Sequence, residues 1–176
     1  MAKLGYGKLK GSRNERRLCR ALSLLVSNGE RDDLLWRSAM SGGVATVALR
    51  GGKARATQAG DVSSIDPESH WLVREWYIEA KHYGDLQILR GFTHNGGKLA
   101  KFWFKTVEEA RHYHKKPMLL AKQDRLPELV IVKMGTRIGD MLANPILLVP
   151  AWNAEVYLFP ALANLTPRPR RVLIEE

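Results

Sequence analysis

Apolar and polar positions change period several times along the chain. From Asn14 onward Leu18, Leu22 and Leu25 recur at helical spacing, with Arg13, Arg16, Arg17 and Arg20 supplying a charged side. This predicts an amphipathic helix with Ser12 as its N-cap and Asn28-Gly29 as its end. The Gly- and Lys-rich run before it, residues 1–12, reads as a flexible basic arm. "LLWRSA" is a short strand, and "MSGGVATVALRGGKARATQAG" a mobile loop or loose hairpin. "DVSSI" is a second strand, "DPES" a turn, and "HWLVREWYIEAKHY" a longer third strand. After a break at "GFTHNGG", residues 99–114 carry an apolar face of helical period through Leu99, Phe102, Trp103, Val107, Ala110 and Tyr113. "PMLLAKQ" and "ELVIVKM" follow as strands joined through "DRLP". Residues 141–166 hold one formal charge, Glu155, and two strand-like pieces, "PILLV" and "EVYLF", read as core and edge strands rather than as a dimerisation surface.

The order of helix, three strands, helix and further strands predicts an α/β protein, a central mixed β-sheet flanked by helices. At 176 residues one domain is the simplest reading. Its expected extent is 13–166, with a short basic tail over 167–176. The hydrophobic fraction of 45% and charged fraction of 26% fit a folded globular chain. Charge changes the picture: 28 Lys plus Arg against 18 Asp plus Glu leave a formal net charge of +10. Such a surface attracts polyanions, nucleic acid first among them. One cysteine, Cys19, excludes an internal disulfide, and the N-terminus lacks a signal-like apolar run, so a reducing cytoplasm is the expected location. No apolar segment approaches the ~18 residues that cross a membrane.

Within the third strand Glu79 and Lys81 stand two residues apart, so both project from one face while Ile78 and Ala80 face the other. Held about 7 Å apart, a carboxylate and an ammonium can serve one site, the first on a metal and the second on a water or phosphate oxygen. Taken alone the pair is more often a surface ion pair, because a chain of this composition contains about one acid-x-Lys by chance. Its surroundings strengthen the functional reading. Asp61 heads the preceding strand, which the Asp66-Pro67 turn is expected to fold back beside Glu79. Two carboxylates on adjacent strands suit Mg²⁺, which takes one or two and fills its octahedron with water and phosphate. Glu15 lies on the apolar stripe of the first helix, where an unpaired charge is costly; a metal nearby removes that cost. Asp66 and Glu75 are rival carboxylates, the first a turn cap and the second on the strand face of Glu79. His112 and His114 point about 200° apart on a helix and cannot share a zinc ion. Trp36, Trp71, Trp76 and Trp103 read mostly as core. "GGK" occurs twice, at 51–53 and 96–98, and neither completes a phosphate-binding loop.

The set "GSRNER", Asp61 and "EAK" resembles the PD-(D/E)xK nuclease superfamily, and within it the archaeal-type Holliday junction resolvases. Gly11, Glu15 and Arg16 match the glycine and Glu-Arg of their first helix, Arg37 and Ser41 an Arg and Ser around the next strand, and Asp61 with Glu79-Ala80-Lys81 the metal-binding acids and the lysine. The resemblance spans residues 11–83. Gly60 stands where the superfamily's name has proline, and 42–60 reads as an insertion. The resemblance implies a restriction-endonuclease-like core and a homodimeric endonuclease of DNA recombination and repair, dependent on Mg²⁺ (or Mn²⁺). Asp61 and Glu79 would bind the ion, Glu15 would complete or orient the shell, and Lys81 would position or deprotonate the water or neutralise charge on phosphorus. Arg13, Arg16, Arg37, Ser41, Lys53 and Arg55 would contact DNA, a four-way junction or other branched duplex. Two alternatives share the composition: a general or restriction-type nuclease, and a basic nucleic-acid-binding protein without catalysis.

Overall fold

The computed structural model describes residues 6–38, 59–136 and 144–159. Its elements run α1 (Tyr6–Val26), β1 (Leu35–Arg37), β2 (Val62–Ser64), α2 (His70–Glu75), β3 (Trp76–Tyr83), α3 (Ile88–His94), α4 (Gly97–His112), β4 (Lys116–Gln123), β5 (Leu129–Lys133), β6 (Leu147–Val149) and β7 (Ala154–Leu158). The expected tail, 167–176, and most of the 42–60 segment lie outside the described residues.

A five-stranded mixed sheet in the order β3-β4-β5-β7-β6 forms the centre. β3 and β4 are parallel, with Glu79 opposite Leu119 and Lys81 opposite Ala121; every other neighbouring pair is antiparallel. Helices cover both faces, so the inner strands read as near-continuous apolar runs. On one face Ile78, Ala80, Met118, Leu120, Val130 and Val132 pack against Leu18, Leu22 and Cys19 of α1. On the other, Leu119, Ala121, Leu129, Ile131 and Val156 pack against Leu99 and Trp103 of α4 and against Trp152. This is the α/β sandwich with a mixed sheet that the apolar pattern predicts.

α1 starts at Tyr6, so Ser12 lies inside it rather than at its N-cap, and only residues 1–5 of the expected arm fall outside the described chain. Gly11 lies within this helix, and a Cβ there would meet nothing within 4 Å. The helix ends at Asn28-Gly29 as read: both residues take positive φ, and the Gly29 N–H returns to the Leu24 carbonyl.

The expected third strand is half helix. Asp66 accepts from the Glu68 N–H and Pro67 opens a short 3₁₀ turn, after which Ser69, Leu72, Val73 and Trp76 are all buried. That i, i+3, i+4, i+7 spacing is one face of a helix, and α2 presents it to the core while β3 begins only at Trp76. α3, in the stretch read as a break, is a second difference. Gln87 and Asn95 flank it in left-handed conformations, and Gly91 lets it approach the Trp152 ring, where a Cβ would stand 3.3 Å away. A third concerns pairing. β2 pairs with β1, not with β3; Gly60 and Asp61 run along the outer edge of β3.

Candidate active site

β3 is an edge strand of the central sheet, and Asp61 is docked onto its open side. The Asp61 N–H donates to the Ile78 carbonyl at 2.8 Å, and the Ala80 N–H donates to Asp61 Oδ2 at 2.9 Å. The Ser38 N–H closes the other side by donating to the Asp61 carbonyl at 2.9 Å. Gly60 makes this approach possible. Its φ is +87°, and a Cβ there would lie 2.5 Å from the Ile78 oxygen. Proline is locked near φ −65°, so the residue that departs from the superfamily's name is the one this backbone demands.

Glu79 and Lys81 project from the same face of β3, as the alternation requires. Lys81 Nζ forms an ion pair with Glu79 Oε1 and stands 3.8 Å from Asp61 Oδ2. One ammonium therefore gathers two carboxylates that are 18 residues apart in the chain. Tyr77, two residues before Glu79 on the same face, donates its hydroxyl to Glu79 Oε2 at 3.4 Å and stacks on Tyr113 with centroids 5.9 Å apart. The period-2 pattern that pairs Glu79 with Lys81 includes Tyr77 too, and could have revealed it.

Glu15 sits behind this group. Its Oε2 is buried without a hydrogen-bond partner, and the nearest cation is Arg37, whose Nε is 3.5 Å away. Arg37 Nη1 also donates to the Ser12 hydroxyl. Among the described residues no group of three or more His, Cys, Asp or Glu is close enough to hold a metal ion together. The structure thus brings Asp61, Glu79 and Lys81 together and sets Glu15 against Arg37. Arg13 and Arg16 are exposed on α1, while Ser41, Lys53 and Arg55 lie outside the described residues. The rival acids are accounted for elsewhere: Asp66 caps its turn and pairs with Arg31 at 2.8 Å, and Glu75 pairs with Lys116 at 3.1 Å. Trp36 is half exposed, unlike the buried Trp76 and Trp103.

Electrostatics mark the group as unusual. Burial pushes the Asp61 carboxyl up to about 7, the Glu79 charge adds to the effect and Glu15 contributes further, while Lys81 and the Ala80 N–H pull the other way. Burial lowers the Lys81 ammonium's hold on its proton, but Glu79 and Asp61 outweigh it and the group rises above its ordinary range. Cys19, buried in α1, is pushed up to about 12 by burial and by the charges of Glu15 and Asp61. It is an inert thiol in the core.

A hard divalent cation fits these residues. Asp61 and Glu79 offer two carboxylates, and the Ala80 carbonyl projects to the same strand edge as its N–H. Mg²⁺ needs no more protein ligands than this, and Glu15, paired with Arg37, is left out of the set. When bound, such an ion polarises a phosphoryl oxygen and acidifies an attacking water.

A mixed sheet with helices on both faces, carrying an acid docked on the edge strand beside a Glu-x-Lys, defines a nuclease of the PD-(D/E)xK class. The chain matches the family described as "Phage putative PDDEXK endonuclease" over residues 6–155. It belongs to that family. No curated protein and no solved structure matches it. No helix among the described residues is long and apolar enough to cross a membrane.

Proposed function

We propose that this chain is a Mg²⁺- or Mn²⁺-dependent DNA endonuclease that cuts branched duplexes, four-way junctions in particular, as a homodimer. The contact of one half-buried ammonium with two carboxylates at an open strand edge is the observation that supports the hydrolytic reading. A phosphate-binding protein without catalysis gains nothing from acids beside its anionic ligand. Asp61 and Glu79 hold the ion. Lys81 keeps its proton between two acids, so its role is to stabilise charge on the scissile phosphate rather than to accept a proton from water. Tyr77 fixes the second oxygen of Glu79. Glu15 orients Arg37, which with Arg13 and Arg16 binds phosphates on the α1 side; Ser41, Lys53 and Arg55 are assigned to the same surface on the resemblance alone.

Selectivity for branched DNA rests on the resemblance of "GSRNER", Asp61 and "EAK" to junction resolvases. A two-fold dimer sets two sites against opposed strands, and the outer strand β6, with its Leu148 and the preceding Ile146 more than half exposed, offers an apolar edge to a second copy. Incubation with a synthetic four-way junction and with linear duplex, in Mg²⁺ or in chelator, tests the reading. Paired symmetric nicks in the junction alone support it. Equal cutting of both substrates would make the chain a general duplex nuclease, and no cutting of either, with binding retained, would make it a binding protein.

A further inference from the structure

The α1 side of β3 carries the expected phosphate contacts, but the opposite side, formed by α4, has a cationic face of its own. Lys98, Lys101 and Lys105 are all exposed, and at i, i+3 and i+7 they fall within a ~60° arc of the helix. Like charges at these spacings destabilise a helix, and the first turn of α4 holds no acid to offset them. No ion pair links Lys98, Lys101 or Lys105 to an acid among the described residues. Glu108 and Glu109 end the stripe, confining it to the half of α4 beside Tyr83, while the other half packs against Tyr77.

Aromatic contacts tie that half to the acids. Lys81 Nζ lies 5.8 Å from the Phe102 ring, Phe102 stacks on Tyr83 with centroids 5.2 Å apart, and Lys98 Nζ stands 6.0 Å from the Tyr83 ring while donating to the Asp85 carbonyl. Tyr83 is 40% exposed at the end of the same strand face that bears Glu79 and Lys81.

We propose that this stripe is the second wall of the substrate groove: Lys98, Lys101 and Lys105 bind consecutive phosphates of the duplex arm that leaves the scissile bond past Tyr83. Seven residues of helix span ~10 Å, and phosphates of one strand recur every ~3.4 Å of duplex axis, so the three ammoniums reach across a run of about four phosphates. The duplex is then held from both faces of the sheet, by α1 arginines and α4 lysines, with the edge of β3 between them. The inference rests on the nuclease reading and adds where the substrate lies.

The test is K98Q/K101Q/K105Q in the full chain, compared with K116Q/R125Q/K133Q, which removes the same charge on β4, β5 and their turn. Binding of a labelled duplex is measured in chelator over a salt series, and cleavage in Mg²⁺. The stripe variant is expected to bind roughly 10- to 100-fold more weakly near 0.1 M salt and to show a salt slope shallower by about 2 to 3. Its thermal midpoint should change little, because relief of the lysine repulsions offsets the Lys98 contacts with Tyr83 and the Asp85 carbonyl and the attraction of Lys105 to Glu108 and Glu109. Unchanged affinity and slope would overturn the proposal, as would an equal loss in the comparison variant, which would mean a charge effect without a defined surface. If wild-type protein binds through the stripe but cuts nothing, the groove stands and the nuclease reading fails; if it cuts while the stripe variant binds normally, the groove alone fails.

Discussion

Replacing Asp61 by Asn should stabilise the fold at neutral pH while removing activity. The Asp61 carboxyl is raised from an ordinary 3.8 to about 7, chiefly by burial and then by the Glu79 charge. The folded state therefore holds this proton more tightly than the unfolded chain does. Between about pH 4 and pH 7 unfolding releases the proton, so this group's contribution to stability declines as pH rises, and above pH 7 the loss is complete. At 1.36 kcal/mol per pH unit the whole window amounts to at most about 4 kcal/mol, and relaxation of the folded site reduces it. Asn keeps the shape, can still accept from the Ala80 N–H, and carries no charge to bury. In chelator at pH 7.5 the variant should be more stable by about 1–4 kcal/mol, or at least ~2–4 °C in thermal midpoint. The difference between the two proteins should shrink toward pH 4. Urea titrations at pH 4.5, 6 and 7.5 measure it directly, because titrating groups away from the site cancel in the difference. An Asn variant that is less stable at pH 7.5, or a difference that does not change with pH, would refute the electrostatic account of the site.

Three further outcomes follow from the same geometry. Gly60→Ala should cost about 2–4 kcal/mol, combining left-handed strain with a backbone clash, whereas Gly29→Ala, equally left-handed but facing open space, should cost only the strain; equal losses in thermal melts would remove the clash from the account. Tyr77→Phe should lower activity roughly 3- to 10-fold through a raised metal requirement, since it deletes one hydrogen bond to Glu79; titrating activity against Mg²⁺ separates this from a change in kcat. Metal binding must displace the Asp61 proton, so apparent affinity should fall about tenfold per pH unit below 7 and level off above it, with proton release detectable by calorimetry in buffers of different ionisation heat.

Much of this site is visible in the chain. Strand alternation alone places Glu79 and Lys81 on one face, the apolar runs of β4 and β5 announce a sheet buried on both sides, and Asp66-Pro67 and Asn28-Gly29 punctuate the chain where they are read. The helical spacing of Ser69, Leu72, Val73 and Trp76 was also present, but the Trp, Tyr and Val content of that stretch favours strand and hid it. What pattern reading could not supply is the way Asp61 reaches β3. The link is a pair of backbone hydrogen bonds enabled by a left-handed Gly60, not a strand pairing, and no periodicity encodes it. Glu15 is legible as a charge on an apolar stripe; that Arg37 answers it depends on β1 packing against α1, a contact between segments that share no pattern.

Whether Asp61, Glu79 and Lys81 form one hydrolytic centre is read from cleavage of a labelled four-way junction by wild-type protein, Asp61→Asn and Lys81→Ala, each with Mg²⁺ and with chelator. A single centre built from these three residues gives metal-dependent cutting by the wild type alone and retained DNA binding by both variants. Cutting by either variant at the wild-type rate, or cutting that survives chelation, would contradict it.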